Sequence, residues 1–416
     1  MTGRVDFIEP TINSQNHIIF VVSMADKVFN EVKMKKPCIV FIVGCILICF
    51  FTARCKKNVI SEVIPVGLKV DSVYLWLSQM QQPNGLLLSS GGGKYVSLYD
   101  NALAAITFSA YGDYQKAERI FDFFNSRLDP EFRKSPGGFG QMRTADGIPV
   151  DNRPHRWLGD NAWLLIAINN YHFLAKNDNY KNLANELSQW ILSLQDLDGG
   201  LWGGFDANGT RISKITEGNL DAFNAIPGFT DFHKRLLVYF KEVRWDTTDK
   251  LLIAWGGYPK YRYALDLHSW GYCVFDDFPT DVLSKAGRYA ATQKSTVSNQ
   301  FISGYCFDED RDVVWLEGTG QMVVAFIKAS REAEAQKYLQ EMKKNLVKSS
   351  SFSGTYALPY AVNWGSSYGS DPLWSGADTN PAVSSTAWYL FGMLRFDPLE
   401  LGYTKQIPSG YKFWVK

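Results

Sequence analysis

The chain has 416 residues and nearly balanced charge, 43 basic against 42 acidic, which argues against an electrostatic hold on nucleic acid or any other polyanion. Its unusual quantity is aromatic content, 13 Trp, 21 Tyr and 27 Phe; a large helical core absorbs many of these, while those beside glycines and acids at helix ends are placed to face a ligand. The length allows two average domains, but a repeat running nearly end to end argues for one large closed domain.

Residues 1–65 stand apart from that repeat. Lys33-Met34-Lys35-Lys36 precedes an apolar run over 38–51, followed by Thr52-Ala53-Arg54-Cys55-Lys56-Lys57. This is the order of a secretory signal, a basic stretch and then an apolar one too short to cross a bilayer comfortably. Met34 reads as an alternative start. Cys55 stands where a lipoprotein acyl Cys would stand, although Arg54 fits the usual small residue poorly, so ordinary cleavage and an uncleaved anchor stay open beside lipidation. Each reading predicts an exported domain over 66–416 whose membrane link, if retained, is that N-terminal anchor. Cys38, Cys45, Cys49 and Cys55 belong to this segment, leaving Cys273 and Cys306 either as one disulfide or as two buried thiols.

The first helix is expected over 71–82, where Val73, Leu75, Trp76, Leu77 and Met80 form a broad apolar stripe that Pro83-Asn84-Gly85 ends. Two similar helical hairpins follow. Tyr99-Asp100-Asn101-Ala102-Leu103 opens the first, with helices over 102–111 and 114–127 leading to Gly137-Gly138-Phe139-Gly140. Gly159-Asp160-Asn161-Ala162-Trp163 opens the second, which runs through 179–194 to Gly199-Gly200-Leu201-Trp202. A period of roughly 60 residues, one helix pair per unit, marks a repeat whose units bury their apolar faces against their neighbours. Further helices are expected over 217–239 with a bend at Pro227-Gly228, then over 265–275 with 280–292, 316–329 with 332–347, and 382–395. Little strand signal is present. Alternating short and long loops suit a double ring of antiparallel helices with the long loops on one rim, so the expected fold is all-α, an (α/α)6 toroid.

No Cys or His cluster has zinc spacing. Asp308-Glu309-Asp310-Arg311-Asp312 starts like a calcium loop but lacks its glycine and closing Glu. An acidic turn is therefore expected there, with no metal and no cofactor.

Read in order, Ser97-Leu98-Tyr99-Asp100-Asn101, Leu158-Gly159-Asp160-Asn161, Thr216-Glu217-Gly218-Asn219-Leu220-Asp221, Asp266-Leu267-His268-Ser269-Trp270-Gly271, Trp315-Leu316-Glu317-Gly318-Thr319-Gly320-Gln321 and Ser385-Thr386-Ala387-Trp388 resemble the six-hairpin glycosidase superfamily. Within it the chain is similar to poorly characterised secreted bacterial proteins. The resemblance covers about residues 70 to 400. It implies the toroid and a carbohydrate substrate, and leaves the reaction open among hydrolases, lyases, epimerases and phosphorylases.

The chemistry is carried by acids at helix starts. Glycoside hydrolysis needs one protonated carboxyl for the leaving oxygen and one ionised carboxylate for water or the sugar. Asp100, Asp160, Glu217, Asp221 and Glu317 are candidates, and helix capping is the competing explanation for each. Capping needs no aromatic partner, yet Tyr99 precedes Asp100, Trp157 and Trp163 flank Asp160, and Trp315 precedes Glu317. Asp160 with Glu217 is the expected reacting pair, with Asp100 and Glu317 next, and an inverting course is favoured. Likeness to the unsaturated glucuronyl hydrolases would instead make Asp160 the acid and Asp100 its partner, although only the loose Arg153-Pro154-His155-Arg156 is available to hold a uronate.

Asp221, four residues after Glu217, shares its helix face and suits a partner role. His268 and Trp270 are expected to hold a sugar, although a lone helix histidine is more often a satisfied core residue. Trp157, Trp202, Trp315, Trp374 and Tyr99 are the other expected binding residues, whereas Trp163 and Trp388 lie in apolar helices and read as core. The Gly, Ser and aromatic stretch over 360–378 reads as a binding loop or lid. Three other classes stay open: a non-catalytic glycan-binding lipoprotein, a polysaccharide lyase, and a terpene cyclase suggested by Gln195 and Gly200-Leu201-Trp202 but lacking an Asp-rich acid motif.

Overall fold

The computed structural model describes residues 71–150, 155–255, 262–275, 277–366, 371–400 and 405–415. The readings placed on residues 1–65, including the signal, Met34 and Cys55, lie outside the described residues, as does Arg153.

In chain order the helices are α1 (Ser72–Gln79), α2 (Leu98–Ala110), α3 (Tyr114–Asn125), α4 (Leu158–Ala175), α5 (Lys181–Ser193), α6 (Thr216–Ala225), α7 (Asp231–Tyr239), α8 (Asp266–Val274), α9 (Asp281–Lys285), α10 (Leu316–Lys328), α11 (Glu332–Lys343) and α12 (Val383–Leu394). The even-numbered helices form an inner ring. Each packs on the next, and α12 returns to α2, which closes the circle. The odd-numbered helices lie outside, and α1 packs on α12, so the first outer helix completes the last hairpin. This is the expected all-α (α/α)6 toroid.

The sequence explains which helix goes where. Inner α4 is apolar nearly all round and is buried at Leu158 and continuously from Asp160 to Tyr171, as a helix surrounded by others must be. Outer α5 has one apolar stripe, Leu183, Leu187, Trp190 and Ile191, and turns its other faces to water. At α1, Asp71 caps the helix by accepting the Val73 and Tyr74 N–H groups at 2.9 and 2.8 Å. None of the described helices is long and apolar enough to cross a membrane.

One inner position recurs around the ring and explains the repeat. The Oδ1 of Asn101 accepts the Leu87 N–H at 2.9 Å while its Nδ2 donates to the carbonyls of Leu87 and Ser97. Asn161 makes the same three bonds with Phe139 and Trp157, and Asn219 makes them with Leu201 and Ile215. Thr319 and Thr386 do a shorter version, accepting the Tyr305 and Leu358 N–H groups at 3.0 and 3.1 Å. The amide or hydroxyl thus clamps the incoming loop to the start of its helix, satisfying buried backbone that the loop would otherwise leave unpaired.

Short antiparallel ribbons join the helices. β1 (Tyr95–Ser97) pairs with β2 (Met142–Thr144) and runs into α2, and β3 (Arg156–Trp157) pairs with β4 (Gly204–Phe205) and runs into α4. The helix expected over 280–292 is replaced in its second half by strand. α9 stops at Lys285, a 3-10 turn covers Ala286–Tyr289, and Ala290–Lys294 pairs with Phe301–Tyr305. The connecting turn is held by Ser295 Oγ, which accepts the Val297 and Ser298 N–H groups. Cross-strand pairing here overrides the helix-permissive Ala-Ala start. Likewise α11 ends at Lys343, and Val347–Lys348 pairs with Tyr356–Ala357.

At the opposite end of the ring, residues 397–400 and Lys405 meet the C-terminal parts of α4, α6 and α10. Asn170 and Asn224 donate to the carbonyls of Pro398 and Leu399 at 2.9 and 2.7 Å. Lys405 donates to the Asn224 carbonyl, and Lys328 pairs with Asp397 at 3.4 Å. Cys273 and Cys306 are separate buried thiols.

Candidate active site

The N-terminal ends of the inner helices surround a cavity of about 790 Å³. Every inner helix sends a polar side chain into it from its first turn: Asp100 from α2, Asp160 from α4, Glu217 from α6, Asp266 from α8, Glu317 from α10 and Ser384 from α12. Asp221 adds a sixth carboxyl from the second turn of α6. Five are buried and Glu217 is half-buried. The only cation among the described lining residues is Lys94, which is exposed.

Register explains the convergence. The clamp residues Asn101, Asn161, Asn219, Thr319 and Thr386 point to the incoming loops, and the residue one or two positions earlier points into the cavity: Asp100, Asp160, Glu217, Glu317 and Ser384. Two glycines make the fit possible. A Cβ on Gly159 would lie 3.0 Å from Asp221 Oδ2, and one on Gly318 would lie 2.2 Å from the Trp315 ring.

Burial without cations shifts the acids upward. Loss of water pushes Asp100, Asp160, Asp266 and Glu317 up to about 7. Hydrogen bonds oppose it: Ser89 at Asp100; the Tyr99 N–H and Gln141 at Asp160; Tyr99 and Ser384 at Glu317. Glu217 is held well above the ordinary carboxylate range, first by burial and then by the facing charges of Asp266, Glu317 and Asp160. Asp221 is raised in the same way, by burial and then by Glu217 and Asp266. Its Oδ2 makes no hydrogen bond. Acids this close and this dry cannot all ionise together, so the cavity keeps several protons at neutral pH.

The walls are aromatic. Trp315 packs on Phe307 with ring centres 4.7 Å apart, and the half-exposed Trp374 sits 4.3 Å from Tyr360. The floor is Trp163, which meets Tyr99 and Trp270 at 5.4 Å and Trp388 at 5.9 Å. The sequence placed Trp163 in the core, and it is both buried and a cavity wall.

Sequence comparison finds no protein family and no curated protein that matches the chain. Solved structures do match. A glycosidase variant aligns over 79% of this chain and 95% of its own at 13% identity and a TM-score of 0.53. Another, in complex with glucose, aligns over 79% and 95% at 13% identity and 0.52. The cellobiose 2-epimerase of Spirochaeta thermophila aligns over 79% and 94% at 16% identity and 0.53. The fold is that of the six-hairpin glycosidases. At this identity the likeness carries the fold, and the chemistry of this six-hairpin toroid has to come from its own side chains.

Of the residues singled out in the sequence, Asp100, Asp160, Glu217, Asp221, Glu317, Tyr99, Trp157, Trp315 and Trp374 line the one cavity. Three do not. His268 stands at the clamp register of α8, buried, with Nδ1 2.8 Å from the Val282 carbonyl and its ring against Tyr289, so it ties α8 to α9 instead of reaching a sugar. Trp270 is buried beneath Trp163 as a packing residue. Trp202 lies outside the lining and carries Lys214 and Arg211 over its ring at 5.0 and 5.4 Å. The residues overlooked are Asp266, Ser384, Gln141, Ser89 and Tyr360. Asp266 was within reach, because it precedes His268 by two just as Glu217 precedes Asn219 and Glu317 precedes Thr319.

Proposed function

We propose that the protein is an exported carbohydrate-processing enzyme that hydrolyses glycosidic bonds of an oligo- or polysaccharide. The observation that carries this reading is the convergence of six carboxyls, five buried and Glu217 half-buried, from five inner helices on one aromatic-walled cavity. Such a cavity supplies the two states the reaction needs, a carboxyl that keeps its proton and a carboxylate that has lost it. Glu217 is the proton donor. Its proton is retained by burial and by the acids facing it, and it passes to the leaving glycosidic oxygen. Asp160, whose charge is favoured by the Tyr99 N–H and Gln141, takes a proton from water as that water bonds to the anomeric carbon. Aromatic faces such as Trp374 hold the pyranose rings. The described lining offers a uronate only the exposed Lys94, which favours an uncharged sugar.

A second reading is epimerisation, favoured by the cellobiose 2-epimerases that share the fold. It needs a base that removes a proton from carbon and a donor that returns one on the other face, and carboxyls raised to about 7 meet that requirement.

The test is incubation of the purified protein with a glycan panel, reading products by chromatography and the released anomer by NMR. Hydrolysis gives two products, the glycosyl one with an inverted anomeric centre, whereas epimerisation gives one isomer of unchanged mass. Products absorbing in the ultraviolet would indicate a lyase, and saccharide binding without turnover a glycan-binding protein. Asp160→Asn and Glu217→Gln are each expected to lower kcat about 10²–10⁴-fold. Wild-type turnover by both variants would remove this pair.

A further inference from the structure

Glu217 and Glu317 occupy the same register, two residues before Asn219 and Thr319, yet their partners are opposite in kind. The hydrogen-bond partner of Glu217 is Asp266, another acid, so that pair is built to share a proton. Glu317 is surrounded by donors. The Tyr99 hydroxyl lies 2.7 Å from Glu317 Oε1, and the Gln321 Nε2 lies 3.4 Å from the same oxygen. Tyr99 is the donor in the first bond. Trp388 Nε1 sits 3.1 Å from Tyr99 Oη, and an indole N–H can only donate, so the phenol accepts there and its single proton goes to Glu317. At 2.7 Å the phenol is a close donor to Glu317, and a hydrogen bond donated to a carboxyl group favours its ionised form. Ser384 reaches Glu317 from α12.

We infer that Glu317, in its ionised form, is the cavity's charge-stabilising carboxylate, facing the sugar ring as positive charge develops on it, and that Tyr99 is the positioning residue that favours that form. The inference rests on the hydrolase reading. It adds a third functional carboxylate to Asp160 and Glu217, one that transfers no proton and acts through charge, where fixed charges in a dry site act most strongly. Both donors converge on Oε1, and Ser384 is a third hydrogen-bond partner of the carboxylate. The titratable groups facing Glu317 are Tyr99 and Asp100 of α2, Glu217 of α6, Asp266 of α8 and Tyr360 of the loop before α12.

The experiment is a pH profile of kcat/KM for wild type and three variants. Glu317→Gln is expected to lose about 10²–10³-fold in kcat. Tyr99→Phe removes one donor, so it moves the acid limb upward by about one pH unit and lowers kcat more than it changes KM. Gln321→Met removes the other donor and shifts the limb the same way by less. Thermal unfolding of each variant verifies the fold. An unmoved acid limb in Tyr99→Phe, or Glu317→Gln with more than a tenth of wild-type kcat, overturns the inference. Absence of glycan hydrolysis by the wild type is a different failure, that of the hydrolase reading. In that case carboxyl titration by carbon NMR of glutamate-labelled protein still decides: the signal lost in Glu317→Gln should titrate below that lost in Glu217→Gln and rise in Tyr99→Phe. A Glu317 signal that Tyr99→Phe leaves in place overturns the assignment.

Discussion

Glu131 and Asp160 are buried to the same degree, each 9% exposed, and the protein treats them in opposite ways. Glu131 meets the fully buried Arg143 through two bonds at 2.6 and 2.8 Å, and its Oε1 also accepts the Gly140 N–H at 2.9 Å. Three phenylalanine rings pack round that guanidinium. Asp160 instead faces Asp100, Glu217 and Asp221 in the cavity. A buried acid with a cation holds structure together, whereas buried acids set against each other store protons for use. The partner decides which.

The largest effect should come from breaking the first arrangement. Arg143→Met leaves Glu131 buried without its cation and is expected to cost about 3–5 kcal/mol of stability, measured by urea unfolding. Activity per folded molecule should stay at wild type; a selective loss of activity would show that this pair serves the cavity too.

The second arrangement responds to pH with a definite sign. The folded Asp100 carboxyl lies at about 7, above the unfolded value of about 3.9. Its contribution to stability is therefore fully present below the unfolded value and lost as pH rises through about 7. Asp100→Asn should raise stability at pH 8 relative to wild type by about 2–4 kcal/mol at most, and by little at pH 4. A difference in melting temperature that stays constant between those pH values would remove the strain assigned to the acid ring.

The smallest effect is expected at His268. His268→Gln loses the bond to Val282 and should cost about 1 kcal/mol with kcat within about twofold of wild type. A large fall in kcat at unchanged melting temperature would return the imidazole to the cavity.

The toroid was legible because helix period and helix-start chemistry are local properties that survive in one sequence. The cavity acids were legible in part. Asp100, Asp160, Glu217 and Glu317 sit beside glycines and aromatics that mark them, whereas Asp266 sits beside His268 and Trp270, whose richer chemistry drew attention to residues that only pack. Register would have separated them: His268 falls where Asn219 and Thr319 clamp loops. What no local pattern carries is pairing across the fold. The ribbon of Ala290–Lys294 with Phe301–Tyr305 and the bond from Tyr99 to Glu317, 218 residues apart, exist only once the ring has closed.

The indoles of Trp163, Trp270 and Trp388 pack together where the inner helices surround the axis and close the inner end of the cavity. The cavity is therefore a cup and not a tunnel. A hydrolase built on it cannot thread a polymer through its centre. Such an enzyme would trim from an end or work on what dips into the mouth, and each product would leave by the mouth through which its precursor arrived. On the hydrolase reading, released sugar would compete with the next substrate for the same aromatic wall, and product inhibition would follow from the architecture itself.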